Sequence, residues 1–294
     1  MKVLVTGSNG FIGQHLVQHL QEHGHHVDGH DLADGDLSQP GVFADRLERS
    51  APDHVIHLAA QVGRLFGEDD LLHTITANVA MTALIAKACG ETRTPVLYTS
   101  SSEVYGDQGD AVCFEYGPVT LPHNLYGLTK FHGEQILRLY APHDLKIVRL
   151  SMPYGPGAPP GRGRRALDTF LWQALHGMPL TVHRGAERSW CWVGDTVAGI
   201  RLVLEQGHGV YNIGRDDCPV SMLHLALMCC ELAGADPNLI EVVDAPAMQT
   251  VVKRLSTGQL RSLGWAPTVE LTEGLPIMLD WIQRFDAEGR MVVT

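Results

Sequence analysis

No stretch of this 294-residue chain approaches the ~20 consecutive apolar residues that a membrane-spanning helix needs. The opening residues, Met1-Lys2-Val3-Leu4-Val5, run straight into a strand-like segment and lack the form of a signal peptide. There is no basic block. Lys and Arg number 22 against 33 Asp and Glu, a formal charge of −11, which argues against a nucleic-acid partner and offers no polybasic face to a membrane. No two cysteines are spaced as CxxC. The six cysteines (89, 113, 191, 218, 229, 230) are scattered, the pattern of reduced, buried thiols in a cytoplasmic protein. Internal repeats and low-complexity tails are also missing.

What is present is a large apolar fraction, 45%, enough for one big α/β domain or a domain with a smaller lobe. Segments 3–6, 26–30, 53–58, 95–100 and 145–149 read as short strands. They alternate with helical stretches at 11–23, 41–50, 70–89 and 124–140, which implies a parallel sheet covered on both faces by right-handed crossovers. A Pro/Gly-rich segment at 153–163 marks the exit from this doubly wound region. The division expected is 1–152 for a dinucleotide-binding domain and 153–294 for a smaller substrate lobe, with some segments, such as 209–213, returning to the main sheet. Sixteen histidines are unusual. His15, His19 and His23 recur every four residues, but Ile12, Leu16, Val17 and Leu20 form the apolar face, so these histidines are expected to face solvent rather than a metal.

The first strand leads into Gly7-Ser8-Asn9-Gly10-Phe11-Ile12-Gly13 and then a helix. Glycine permits positive φ and close approach to a pyrophosphate, and the helix N-terminus offers free N–H groups to it. Asp31 ends the second strand 18 residues after Gly13, near the spacing of a carboxylate that binds the adenosine ribose. No Lys or Arg lies between Asp31 and Arg46, so a 2′-phosphate would meet an anion and no cation. NAD is favoured over NADP. Asp36 and the neighbouring Leu37 are placed where a carboxylate can accept from an adenine amino group, or where a loop acid is simply solvated.

Tyr126 and Lys130 stand at i and i+4, on one helix face. An ammonium beside a phenol lowers its pKa, so Tyr126 is expected to take the proton of a secondary alcohol as hydride leaves. Thr99-Ser100-Ser101-Ser102-Glu103 places hydroxyls at the C-terminal end of a parallel strand, where doubly wound sheets bind ligands.

These motifs, with His57-Leu58-Ala59-Ala60, Val104-Tyr105-Gly106, Tyr154-Gly155-Pro156-Gly157 and the stretch from Arg254 to Trp265, resemble the extended short-chain dehydrogenase/reductases. More narrowly, they resemble the nucleotide-sugar epimerase/dehydratase family. The resemblance implies a Rossmann fold, Ser101 as catalytic hydroxyl, Tyr126 as base, and Lys130 as its partner and a ribose ligand. It implies that Leu58, Ala59 and Ala60 run beside NAD, and that Arg188 and Arg254 bind the diphosphate of a nucleotide sugar, with Ser101 and Ser102 touching the sugar. Helices 70–89 and 124–140 often pair across a dimer in this family, so a homodimer is expected. Met152 stands where the family usually has Asn.

Glu103 follows Ser101 by two positions, as a Glu does in GDP-mannose dehydratases and UDP-glucuronate decarboxylases, and is an acid/base candidate at a neighbouring sugar carbon. Ser102 stands where dTDP-glucose dehydratases carry Asp. The first expectation is a redox-neutral epimerase working through a transient 4-keto sugar, with dehydration or decarboxylation as variants. The short Asp31–Asp36 connection resembles the 4-keto-sugar reductases instead. A non-catalytic dinucleotide sensor is the third reading, opposed by the intact Ser101, Tyr126 and Lys130. The loop 61–66 and the C-terminal lobe are expected to select the sugar.

Overall fold

The computed structural model describes residues 1–62, 70–157, 165–246 and 250–287. The chain alternates strand and helix as β1 (Lys2–Thr6), α1 (Phe11–Glu22), β2 (His26–His30), α2 (Val42–Ser50) and β3 (His54–His57). A continuous helix α3 covers Leu71–Thr92, followed by β4 (Val96–Ser101), β5 (Val112–Cys113), α4 (Leu125–Tyr140) and β6 (Lys146–Leu150). Strands β1, β2, β3, β4 and β6 are joined by β11 (Gly209–Ile213) in one six-stranded parallel sheet, ordered β11-β6-β4-β3-β1-β2. The connections from β1 lead to opposite sides, so the order reverses between β1 and β3. In such sheets the ligand crevice lies at the carboxyl ends of the strands flanking that reversal.

Strand alternation explains why both faces are covered. Val3 and Val5 point to one side, where Leu16 and Leu20 of α1 meet Val197, Ile200 and Val203 of α6 (Val193–Gln206). Leu4 points to the other, onto Phe43 and Leu47 of α2, Met81 and Ile85 of α3 and Leu137 of α4. A third core is built from residues after 153: Leu167 and Leu171 of α5 (Ala166–Leu175), Leu225 and Cys229 of α7 (Met222–Ala233), and Met278 and Ile282 of α9 (Leu271–Ala287). Two-residue strands β9 (Glu187–Arg188) and β14 (Arg254–Leu255) carry parts of this lobe toward the sheet, β14 pairing with β5. The other short elements are β7 (Pro153–Tyr154), β8 (Leu180–His183), β10 (Cys191–Trp192), β12 (Val220–Ser221), β13 (Ile240–Val243) and α8 (Gly258–Ser262).

Three expectations need correction. Helix α3 is not uniformly α-helical: Thr76–Ala80 form a π turn between α segments Leu71–Ile75 and Met81–Thr92. The turn carries Asn78, whose amide reaches the Gln61 carbonyl (3.0 Å) and the Thr129 hydroxyl (3.1 Å). Although Leu71–Thr92 is long and apolar enough by composition to cross a membrane, it packs here against α2 and α4. Of the histidine ladder, only His23 is exposed. His15 Nε2 lies 2.8 Å from the Pro156 carbonyl and His19 receives Arg201 Nε at 3.2 Å, because α6 and the 153–157 segment cover that side of α1. Cys218 is exposed, on the loop before β12, while the other five thiols are buried.

Candidate active site

The glycine loop is shaped by close packing. Gly7 has φ +73, and a Cβ there would stand 2.8 Å from the Ala59 nitrogen. A Cβ on Gly13 would lie 2.0 Å from the Gly7 carbonyl, so α1 reaches this near to the loop only with glycine. Gly10 is the N-cap residue of α1, and among the described residues no side chain caps this helix. The N–H groups of Phe11, Ile12 and Gly13 are therefore available to an anion. Leu58, Ala59 and Ala60 follow β3 and form the opposite wall; the Ala59 N–H reaches Thr6 Oγ1 at 3.3 Å. Asp31 sits at the loop's side. Its carboxylate accepts from the Asn9 N–H at 2.9 Å and the Leu32 N–H at 2.8 Å. An uncapped helix start, a crevice that admits no Cβ, and a carboxylate at the end of β2 fit the diphosphate and ribose of NAD.

Asp36 lies on the loop beyond. Hydrogen bonds from Ser38 hold its carboxyl below the usual range, and one oxygen accepts the Ser38 N–H at 2.9 Å. The Leu37 side chain is in the core beside Phe43, so only its backbone is left to face a ligand.

The catalytic candidates gather where β4 meets α4. Asn124 caps α4 by accepting the Gly127 N–H at 2.8 Å. A Cβ on Gly127 would stand 2.8 Å from the Glu103 carbonyl, so glycine lets the helix start press against the turn after β4. Ser101 Oγ accepts the Glu103 N–H at 3.2 Å and is hydrogen-bonded to the Tyr126 phenol. Ser102 is buried in the same turn. The Lys130 ammonium donates to the Thr99 carbonyl at 2.8 Å and stands 4.9 Å from the Tyr98 ring centre.

The expected electrostatics of Tyr126 are not those found. Burial, and then the Glu103 carboxylate, push the phenol well above its usual pKa; the bond to Ser101 pulls the other way. Burial brings Lys130 down to about 7 against the opposing charge of Glu134. The lysine is thus spent on a carbonyl rather than on lowering the phenol. Further positive charge is needed before Tyr126 ionises near neutral pH.

Glu103 has a partner that sequence reading missed. Its carboxylate forms a short ion pair with Lys253 and accepts from Asn124 Nδ2 at 2.7 Å. Burial opposes ionisation, yet Lys253 and Asn124 hold Glu103 at about 2. Lys253 is 4% exposed, and burial lowers its pKa while Glu103 opposes that shift. The two residues adjoining in sequence part ways. Lys253 reaches Glu103, whereas Arg254 bonds Glu187 at 3.1 Å and faces Asp110 at 3.9 Å. Arg188 is buried and its positive charge acts on Glu103. Its guanidinium also donates to the Glu187, Val251 and Thr250 carbonyls at 2.7, 2.8 and 2.7 Å. The structure therefore brings Arg188, Lys253 and Glu103 together and turns Arg254 to other carboxylates. Met152 occupies the left-handed region at φ 46, which Asn adopts more readily than Met. In the 61–66 loop, residues 63–66 lie outside the described residues, as do 158–163 of the Pro/Gly-rich exit.

The chain is similar to known proteins in sequence and in fold. Residues 3–214 match the NAD dependent epimerase/dehydratase family. The chain is 29% identical over 311 residues to UDP-glucuronic acid decarboxylase 6 of Arabidopsis thaliana, covering 95% of this chain and 88% of that protein. The crystal structure of the UDP-glucose 4-epimerase of Thermus thermophilus in complex with NAD superimposes with a TM-score of 0.86 at 26% identity, over 96% of this chain and 99% of that one. MoeE5 in complex with UDP-glucuronic acid and NAD gives a TM-score of 0.85 at 28% identity, over 97% and 99%. With residues 3–214, most of its length, matched to that family model, the chain belongs to the NAD-dependent epimerase/dehydratase family.

Proposed function

We propose that this protein is a redox-neutral enzyme that oxidises a sugar hydroxyl of a nucleotide-diphosphate uronate, removes carbon dioxide from the resulting keto acid, and reduces the ketone again. The observation that carries this reading is the Lys253–Glu103 ion pair beside Ser101 and Tyr126. Plain epimerisation needs an alcohol, a base and a hydride acceptor. A second acid–base pair serves a step at a neighbouring carbon.

Residues Gly7, Gly10, Phe11, Ile12, Gly13, Asp31, Leu58, Ala59 and Ala60 would hold NAD, with Asp36 at the adenine end and Tyr126 and Lys130 at the other. Bound there, NAD supplies the hydride acceptor and a positive charge beside the phenol. Tyr126 takes the proton of the alcohol, with the Ser101 hydroxyl bridging the two oxygens. A ketone next to a carboxylate-bearing carbon makes decarboxylation easy: the C–C electron pair moves into the carbonyl as an enolate, and Ser101 and Tyr126 donate hydrogen bonds to that oxygen. Lys253 then delivers a proton to the carbon that lost carbon dioxide. Its buried, lowered pKa suits a donor, and Glu103 keeps it charged until then. Arg188 supplies charge for the diphosphate or the carboxylate. Residues 1–152 thus serve the cofactor and 153–294 mainly the substrate, although β11 and α6 build part of the first core.

Epimerisation without loss of mass is the second reading. It uses Ser101, Tyr126 and Lys130 alone, and the similarity to the Thermus 4-epimerase favours it. Incubation with UDP-, GDP- and dTDP-linked hexoses and UDP-glucuronate, followed by mass spectrometry and NMR, separates the two. Loss of carbon dioxide from UDP-glucuronate is expected. An unchanged mass with inverted stereochemistry supports epimerisation. A gain of two hydrogens by an added nucleotide-linked 4-keto sugar, at the expense of NAD(P)H and with no turnover of the other substrates, would make the protein a reductase and reject both. A homodimer belongs to the same proposal: Leu71, Leu72 and Ile75 of α3 and Leu139 and Tyr140 of α4 expose their apolar side chains.

A further inference from the structure

Three consecutive residues of β4 meet three positions of α4 spaced by four. Ser101 bonds Tyr126, the Thr99 carbonyl receives Lys130, and Ser100 Oγ donates to Glu134 at 2.6 Å. Positions 126, 130 and 134 share one helix face. The last of them is fully buried. Glu134 also accepts Arg149 Nε at 2.9 Å and Nη2 at 2.8 Å from β6, and both terminal nitrogens of Arg138 at 3.1 Å. Burying a carboxylate among two guanidinium groups is not an economical way to pack a helix on a sheet; apolar replacements of buried ion pairs are often as stable or more so. The placement one turn beyond Lys130 gives the charge another use.

We propose that Glu134 is a positioning residue of the catalytic centre: it fastens α4 to β4 and β6 through Ser100 and Arg149, and its negative charge keeps the Lys130 ammonium in place on the Thr99 carbonyl. The inference rests on the reading of Tyr126 and Lys130 as the alcohol-oxidising couple. The other groups facing Lys130 do not replace that charge. His57 from β3 is neutral, burial and then Lys130 taking it to about 3. Tyr98 from β4 is held above its usual pKa by burial, then by Tyr126 and Glu134. Glu103 is committed to Lys253 and Asn124. Arg149 and Arg138 are cations that partly neutralise Glu134.

The test is a titration of the Lys130 ammonium by NMR of 13Cε-labelled lysine, in protein carrying whatever cofactor it retains on purification. Glu134→Gln removes the nearby anion, so Lys130 is expected to titrate about one pH unit lower. Arg149→Met leaves Glu134 held by Ser100 and Arg138 and removes a cation, so Lys130 is expected to titrate higher. The alkaline limb of turnover moves with it, to lower pH in the first variant and higher in the second. A purely structural role predicts lower turnover in both with no opposed shifts, and that result overturns the proposal. Should Glu134→Gln strand Arg149 and fail to fold, Arg149→Met decides alone: an unmoved Lys130 overturns the inference. Tyr126→Phe keeps the two readings apart. Unchanged turnover in that variant rejects the alcohol-oxidising couple, whatever Lys130 does.

Discussion

Arginine was the residue that sequence reasoning favoured for the C-terminal anchor, because a bidentate fork suits a diphosphate. The structure sets Arg254 beside Glu187, lining a cavity with Ser189 and Asp216, and adds the neighbouring Lys253 at Glu103. Lys253 immediately precedes β14, and successive side chains of extended backbone leave on opposite faces, so spacing alone does not say which faces inward. Glu103 was legible as a candidate from its position after Ser101, but its ionised state was not, since that depends on a partner 150 residues away. Asn124 was equally hidden, although it stands only two residues before Tyr126. The pair makes a sharp prediction. Lys253→Met should lower product formation by roughly 10² or more, as loss of a proton donor does, while Tyr126 still takes the alcohol proton and the hydride still passes to NAD. Enzyme-bound NADH should then accumulate, visible by its absorbance. Full product formation would remove Lys253 from the chemistry; loss of product without reduced cofactor would place its role before the ketone. A Glu103→Gln/Lys253→Met double variant removes both members of the ion pair together and controls for folding.

At the level of elements, the wound region was readable because most strands are short apolar runs and each helix begins at a cap or glycine. The π turn in α3 was not readable, because its residues have ordinary helical composition. It matters because it carries Asn78 and adjoins Thr82, which meets His57 Nε2 at 3.1 Å; His57 Nδ1 meets Thr6 Oγ1 at 2.8 Å. The histidine is fully enclosed, and burial followed by Lys130 takes its pKa from 6.5 to about 3. Between those values the unfolded chain binds a proton that the folded one does not, so stability falls as pH drops from 6.5 toward 3. Glu103, held at about 2 against 4.5, adds a loss of the same sign at lower pH. Urea midpoints measured from pH 7 to 5 should decline, and His57→Gln should flatten that slope. Parallel slopes in the two proteins would mean that the ring already binds its proton in the fold.

For the molecule as a whole, the doubly wound sheet and its glycine loop followed from local pattern, whereas the proposed substrate side did not. It is assembled from β9, β14 and segments far apart in the chain, so its partners have no local signature. The homodimer proposal belongs to this scale: Leu72→Glu combined with Leu139→Glu should convert a dimer seen by analytical ultracentrifugation to monomer. A protein that sediments as a monomer before mutation would contradict it. The central claim, that hydride leaves and returns within one active site, is tested most directly with UDP-glucuronate deuterated at C4 and a large excess of unlabelled NADH in solution. Retention of the deuterium at C4 of the product is the expected result. Its replacement by hydrogen, with deuterium appearing in the free cofactor pool, would contradict the account.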